Sequence, residues 1–205
     1  MPVIAVANPK GGVGKSTLST HIAGWLARQG HAVMLGDVDR QHSSRQWLAL
    51  RPPQLPPIRT WETHTRSIVR PPKGTTHVVL DTPAGLHGKR LDEVMRIADR
   101  LIVPLQPSLF DIQATHAFVQ VLRQHRRAGE VRLGLVGMRV REHTRANEQL
   151  HHFLQTLQVP VLAYLRDTQN YVHLAARGLT LWDVAPSRVD RDLAQQTDFR
   201  ELVQG

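Results

Sequence analysis

No cysteine occurs anywhere in the 205 residues. Disulfides, thiolate metal sites and cysteine-held iron–sulfur clusters are therefore excluded. No run approaches the ~20 apolar residues that a membrane-spanning helix needs. The opening Met1-Pro2-Val3 lacks the charged region and hydrophobic core of a secretory signal, so a soluble cytoplasmic protein is expected. Repeats and low-complexity tracts are missing too. The 12 histidines show no metal-ligand spacing, since His151 and His152 are adjacent and the others scatter; they read as solvated or core side chains. Acidic residues are scarce, with 17 Asp and Glu against 26 Lys and Arg, for a net charge of +9 and a pI near 11.1. Such a surface attracts polyanions, nucleic acid first and anionic membrane second. An arginine-rich proteome also yields basic proteins without such a partner.

What is present starts within ten residues of the N-terminus. Val3-Ile4-Ala5-Val6-Ala7 reads as a buried strand, and Leu18, Ile22, Trp25 and Leu26 recur at helical spacing up to Gly30. Between them lies Asn8-Pro9-Lys10-Gly11-Gly12-Val13-Gly14-Lys15-Ser16-Thr17. A strand, a glycine-rich turn and a helix opening on Lys-Ser/Thr make a phosphate-binding P-loop. Glycines let successive backbone N–H groups turn inward around an anion, and the helix adds its positive dipole end. Lys15 can reach the outer phosphates, and the Ser16 hydroxyl can ligate Mg²⁺. The loop is a variant: Pro9 stands where the first glycine belongs, and Lys10 adds a second lysine. On spacing alone Lys10 is equally a solvated surface lysine.

The rest of the chain alternates strand and helix. Strands are expected at 32–36, 58–60, 77–80, 100–105, 131–136 and 161–163. Helices are expected over His42 to Leu50, Glu62 to Val69, around Leu91 to Ala98, after Pro107-Ser108, around Leu150 to Leu157, and over Asp190 to Val203. The helix after Ser108 is expected to face inward with Phe110, Ala114, Ala117, Phe118 and Val121. Gln120, Arg123, Gln124 and Arg127 are expected on its opposite face. The pattern predicts one α/β domain over 1–205, a mostly parallel twisted sheet with helices on both faces. Ligands of such sheets bind beyond the carboxyl ends of the strands. Asp81 ends an apolar strand, where it can hold Mg²⁺ opposite Ser16 or simply form a turn. Asp37 and Asp39, two residues apart, share a side in extended chain. One can support the metal while the other orients an attacking water, or both belong to a solvated acidic loop.

These residues resemble a known family. Lys10 to Thr17 resembles the deviant Walker A motif of the ParA/MinD ATPases, whose signature lysine falls on Lys10. Asp37-Val38-Asp39-Arg40-Gln41 resembles the second acidic motif, with Arg40 in place of its usual proline, and Asp81-Thr82-Pro83-Ala84-Gly85 resembles Walker B. Pro107 to Ala114 and Gly178 to Asp183 resemble later segments of small ParA proteins. The resemblance implies an ATP- and Mg²⁺-dependent ATPase that forms a homodimer on ATP, each Lys10 crossing to the other subunit's phosphates. It implies Gly11, Gly12, Val13, Gly14, Lys15, Ser16 and Thr17 as the phosphate cradle, Ser16, Asp37 and Asp81 around the metal, and Lys10, Lys15 and Asp39 in catalysis. Adenine is placed near Met138 and the Arg166-Asp167 turn.

Members of the partition branch bind DNA without sequence preference in the ATP state, and a ParB-like or cargo-adaptor partner stimulates hydrolysis. Arg139, Arg141, Arg145, Arg166 and Arg177 are the arginines this points to for DNA. The tail around Phe199 to Val203 lacks the basic amphipathic pattern of a membrane-targeting helix, which favours the nucleoid over the membrane. Plasmid or chromosome segregation competes with positioning of a protein cargo, such as a microcompartment or chemoreceptor cluster. A P-loop small-molecule kinase or ligase is the reading from another class.

Overall fold

The computed structural model describes residues 1–61 and 71–189. Its elements run β1 (Val3–Val6), α1 (Lys15–Arg28), β2 (Val33–Asp37), α2 (Ser43–Ala49), β3 (Ile58–Trp61), β4 (His77–Asp81), α3 (Gly88–Ile97) and β5 (Arg100–Leu105). They continue with α4 (Leu109–Gln124), β6 (Arg132–Val140), α5 (Arg145–Thr156), β7 (Val161–Arg166) and α6 (Asn170–Ala175). Two short 3₁₀ turns follow, Leu181–Asp183 and Pro186–Arg188. The strands expected from the sequence all form. Those at 131–136 and 161–163 extend further, to Val140 and Arg166. The helix expected at Glu62 to Val69 and the terminal helix at Asp190 to Val203 lie outside the described residues.

The strands form one seven-stranded sheet in the order β3-β2-β4-β1-β5-β6-β7. Every pairing among them is parallel. That requires helical crossovers and burial of both faces, so β1, β2 and β4 are buried at every position. On one face Leu91 and Met95 of α3, Phe118 and Leu122 of α4, and Leu150 and Leu154 of α5 cover Val78, Leu101 and Leu135. On the other, Leu18, Ile22 and Leu26 of α1 and Trp47 of α2 cover Ile4, Leu35 and Val79. The chain leaves β1 to one side and returns to flank it with β4 and β5. The crevice beyond the carboxyl end of β1 is the place where such sheets bind ligands.

Helix α4 departs from expectation. Its buried face is Asp111, Thr115, Phe118, Val119 and Leu122, while Phe110 is 71% and Val121 49% exposed. The heptad-like apolar stripe lies outward because the first turns of the helix turn polar side chains toward the P-loop. Thr115 Oγ1 accepts from Asn8 Nδ2 at 3.1 Å, and Asp111 faces Lys10.

Candidate functional site

The loop after β1 is pinned before it turns. Asn8, fully buried, donates through Nδ2 to the Pro104 carbonyl at 2.8 Å. Its Oδ1 accepts the Lys10 N–H at 2.8 Å. The Pro9 carbonyl takes the Gly85 N–H at 2.8 Å, tying the loop to the segment after β4. Gln106 Nε2 donates to the Gly12 carbonyl at 2.7 Å. Gly14 has φ +95°, and a Cβ there would stand 2.6 Å from Met138 Cε. The left-handed turn favours glycine, and any Cβ would also push the Met138 side chain aside. Helix α1 then begins with no side-chain cap and no acidic residue in its first turn, which leaves its positive end for an anion.

The two lysines point differently. Lys15 is buried and Nζ donates to the Lys10 carbonyl at 2.7 Å. Burial lowers its pKa, while Asp81 and Asp39 hold it up. The Lys10 side chain is 41% exposed, with Nζ 3.8 Å from Asp111 Oδ1.

Asp81 sits at the end of β4 with no exposed surface. Burial pushes its carboxyl up to about 6; the hydroxyls of Ser16 and Ser44 and the Lys15 charge oppose this, and Asp37 adds to it. Ser44 Oγ donates to Oδ2. Oδ1 is buried with no hydrogen-bond partner among the described residues. A buried carboxylate oxygen left bare beside a serine hydroxyl is a donor set that fits a hard cation such as Mg²⁺. Asp37 lies in register with Asp81 across β2 and β4. Its Oδ1 accepts the Asp39 N–H at 3.0 Å and its Oδ2 the Arg45 N–H at 3.1 Å. Asp37 therefore fixes the loop that carries Asp39 and caps toward α2.

Asp39 opens onto a cavity of about 660 Å³ lined by Gly11, Gly12, Gly14, Lys15, Ser16 and Thr17. Arg40, Arg90 and Arg139 also line it; the sequence reading assigned none of the three to phosphates. For Arg90 a signal existed: Lys89-Arg90 opens α3, where a positive charge opposes the helix dipole unless an anion stands nearby. Arg139 has φ +51° at an irregularity in the β6–β7 ladder, which aims its side chain toward the cavity. A second cavity, about 570 Å³, shares Gly14, Thr17 and Arg139 with the first. Val13, Met138, Leu165 and Tyr171 give it apolar walls, and Arg141, Arg166 and Asp167 stand on its rim. Arg141 pairs with Asp167 at 2.5 Å. One cavity suits a chain of phosphates and the adjoining one an aromatic base. Of the arginines expected to meet DNA, Arg139, Arg141 and Arg166 border this site, while Arg145 and Arg177 are exposed away from it.

Behind the loop lies a core histidine, His21. His21 Nδ1 bonds the Thr17 carbonyl at 2.8 Å, and the Leu181 N–H donates to Nε2 at 3.4 Å. This requires the neutral ring, and complete burial brings its pKa down to about 4, against the pull of the Thr17 carbonyl and Asp183. Asp183 holds Arg51 through two bonds, at 2.9 and 3.2 Å, and Trp47 Nε1 donates to Leu179 O at 3.4 Å. The segment 178–183 thereby joins α1 to α2.

Residues 4–181 match the family described as the CobQ/CobB/MinD/ParA nucleotide binding domain. Among curated relatives, the maintenance of carboxysome distribution protein A of Gloeobacter kilaueensis is 37% identical over 54% of this chain, and the match spans 51% of that protein. The chromosome-partitioning ATPase Soj of Thermus thermophilus is 28% identical over 67% of this chain and 68% of its own. Among solved structures, an ATP complex of McdA from Cyanothece has a TM-score of 0.79 at 13% identity, covering 98% of this chain and 95% of that one. At that identity the likeness speaks for the fold.

Proposed function

The chain belongs to the CobQ/CobB/MinD/ParA nucleotide-binding family, and on that premise we propose that it is an ATP-switched positioning ATPase whose single domain spans 1–205. ATP with Mg²⁺ occupies the paired cavities, its phosphates in the cradle from Gly11 to Thr17 and its base against Met138. The observation that carries the reading is the divergence of Lys15 and Lys10, one ammonium turned into the loop and the other out of it. The outward lysine serves a second copy of the chain, so hydrolysis waits for a homodimer.

Backbone N–H groups of the loop and Lys15 hold and neutralise the phosphates. Ser16 and Asp81 would hold Mg²⁺, which would offset the charge on the phosphoryl oxygens. Asp37 keeps the Asp39 loop in place beside the metal, and Asp39 orients the attacking water. Arg40, Arg90 and Arg139 add positive charge around the cradle.

In its ATP state the dimer binds DNA without sequence preference, and a ParB-like or cargo-adaptor partner triggers hydrolysis and release. The protein then works in the cytoplasm on the nucleoid. The carboxysome-distribution relatives favour a protein cargo, and Soj favours a chromosome or plasmid. Binding to long random-sequence DNA with ATP, with ADP and without nucleotide tests the reading. Tighter binding with ATP supports it; absence of DNA binding in every state points instead to a small-molecule kinase or ligase.

A further inference from the structure

Besides the cations around the nucleotide cavities, a second row of cations lines the opposite end of the sheet. Because all strands are parallel, their beginnings line one edge, which in sheet order carries Arg59, second in β3, and the first residues His77 of β4, Arg100 of β5 and Arg132 of β6. Arg100 and Arg132 are partners in register. His31 packs on His77 with ring centroids 4.1 Å apart, and a cavity of about 290 Å³ beside them is lined by His31, Arg59 and Lys73. The charges converge closely enough to be felt. Burial first, then His31, the N-terminus and Arg100, bring the His77 pKa down to about 4. Arg132 likewise lowers that of Arg100, after burial, with Asp99 opposing. Two acids stand at this end as well. Asp99 Oδ2 accepts the Val3 N–H at 2.7 Å, and Glu130 pairs with Arg127.

We propose that this edge, from Arg59 and Lys73 across to Arg132, is a docking surface for the phosphodiester backbone of duplex DNA. Six strands at ~4.8 Å spacing span roughly 24 Å, about seven base-pair steps of 3.4 Å. The cations are mostly arginines, whose planar guanidinium groups match phosphate oxygens. Among the described residues, the exposed apolar side chains Leu109 and Phe110, which an anionic membrane would take in, open α4 beyond the other end of the sheet. The surface deepens the positioning reading and rests on it. Subunits that meet across their nucleotide edges leave both of these edges facing outward, so the ATP dimer carries two such surfaces and can hold two stretches of one long DNA. Long DNA therefore gains affinity from dimerisation through multivalency, while a short duplex does not.

The test compares wild type, Arg59→Glu/Lys73→Glu/Arg132→Glu, and Arg145→Ala/Arg177→Ala. Each is measured by fluorescence anisotropy on a short random duplex and by gel shift on plasmid DNA. The expected result is a loss of about tenfold or more in the triple variant, with the salt dependence of log K shallower by about 3. Its ATP affinity and melting temperature stay near wild type, and the Arg145/Arg177 variant binds within about twofold. A milder Lys73→Ala/Arg132→Gln variant shows the same direction if charge reversal harms the fold. Unchanged DNA binding in the triple and milder variants, or wild-type capture by anionic phospholipid vesicles but not duplex, overturns the proposal. Wild-type protein that binds no DNA in any nucleotide state would sink the positioning reading as well.

Discussion

Lys15 donates its ammonium to the carbonyl oxygen of Lys10 at 2.7 Å, so the loop supplies the ligand that phosphate will replace. The lysine is already placed, and little side-chain ordering remains to be done on binding. Lys15→Ala removes the one buried cation at the cradle among the described residues, and ATP affinity should fall about 100-fold or more. Lys10→Ala should leave affinity within about threefold but abolish dimerisation or turnover. Fluorescent-nucleotide titration with multi-angle light scattering separates the two. A Lys10→Ala protein that turns over normally would return Lys10 to the role of a surface lysine.

Asp39→Ala leaves Asp37, Asp81 and the cradle in place, and removes only the carboxylate on the cavity wall. Turnover should drop at least about 100-fold while an ATP-bound dimer accumulates. Normal phosphate release in a malachite-green assay would move the water-orienting role to another residue.

Gly14→Ala meets two penalties at once, a left-handed φ of +95° and a Cβ 2.6 Å from Met138 Cε. The backbone cost alone is about 1–2 kcal/mol. Nucleotide affinity should fall about tenfold or more. Adding Met138→Ala should recover part of the loss, because it relieves the contact but not the backbone. Full recovery would show that φ at this position is not strained.

His21 makes stability depend on pH in one direction. Its folded-state pKa is about 4, below its ordinary 6.5, so its contribution is complete above about pH 6.5 and lost as pH falls to about 4. Replacing it by glutamine removes the titrating group. The stability gap between wild type and His21→Gln should therefore narrow by up to about 3 kcal/mol over that window. Asp81, shifted upward to about 6, acts with the opposite sign between about pH 4 and 6, but it does so in both proteins and cancels in the comparison. Urea melts at pH 4.5, 5.5 and 7 supply the measurement.

Periodicity sufficed for the strands because in a parallel sheet they are uninterrupted apolar runs, bounded by the Asp, Gly and Pro that end them. It failed on α4, where Phe110, Ala114, Ala117 and Val121 share an apolar stripe with no buried purpose in the subunit. The true inner face carries Asp111 and Thr115, whose polarity makes sense only once Lys10 and Asn8 are in view. That the P-loop, Asp37, Asp39 and Asp81 share one edge was legible, because each follows or ends a strand of a parallel sheet. The place of Arg139 beside the cradle was not, because a ladder irregularity turns the arginine. The second cavity was reached only through the family resemblance, which put adenine near Met138 and Arg166-Asp167; strands far apart in sequence bring Met138 to Leu165. The contact of His21 was hidden for the same reason, since its partner Leu181 lies 160 residues away.

The position of β1 has a consequence for synthesis. The phosphate-binding loop leaves the ribosome before β4 and β5, yet its strand is flanked by both, with Val3 beside Val78 and Ile4 beside Arg100. β4 exists only after residue 81 has been made, and β5 only after residue 105. Pairings this distant form late and slowly. An ordered nucleotide cradle therefore cannot precede translation of residues 77–105, and a nascent chain stalled before that point should take up no ATP.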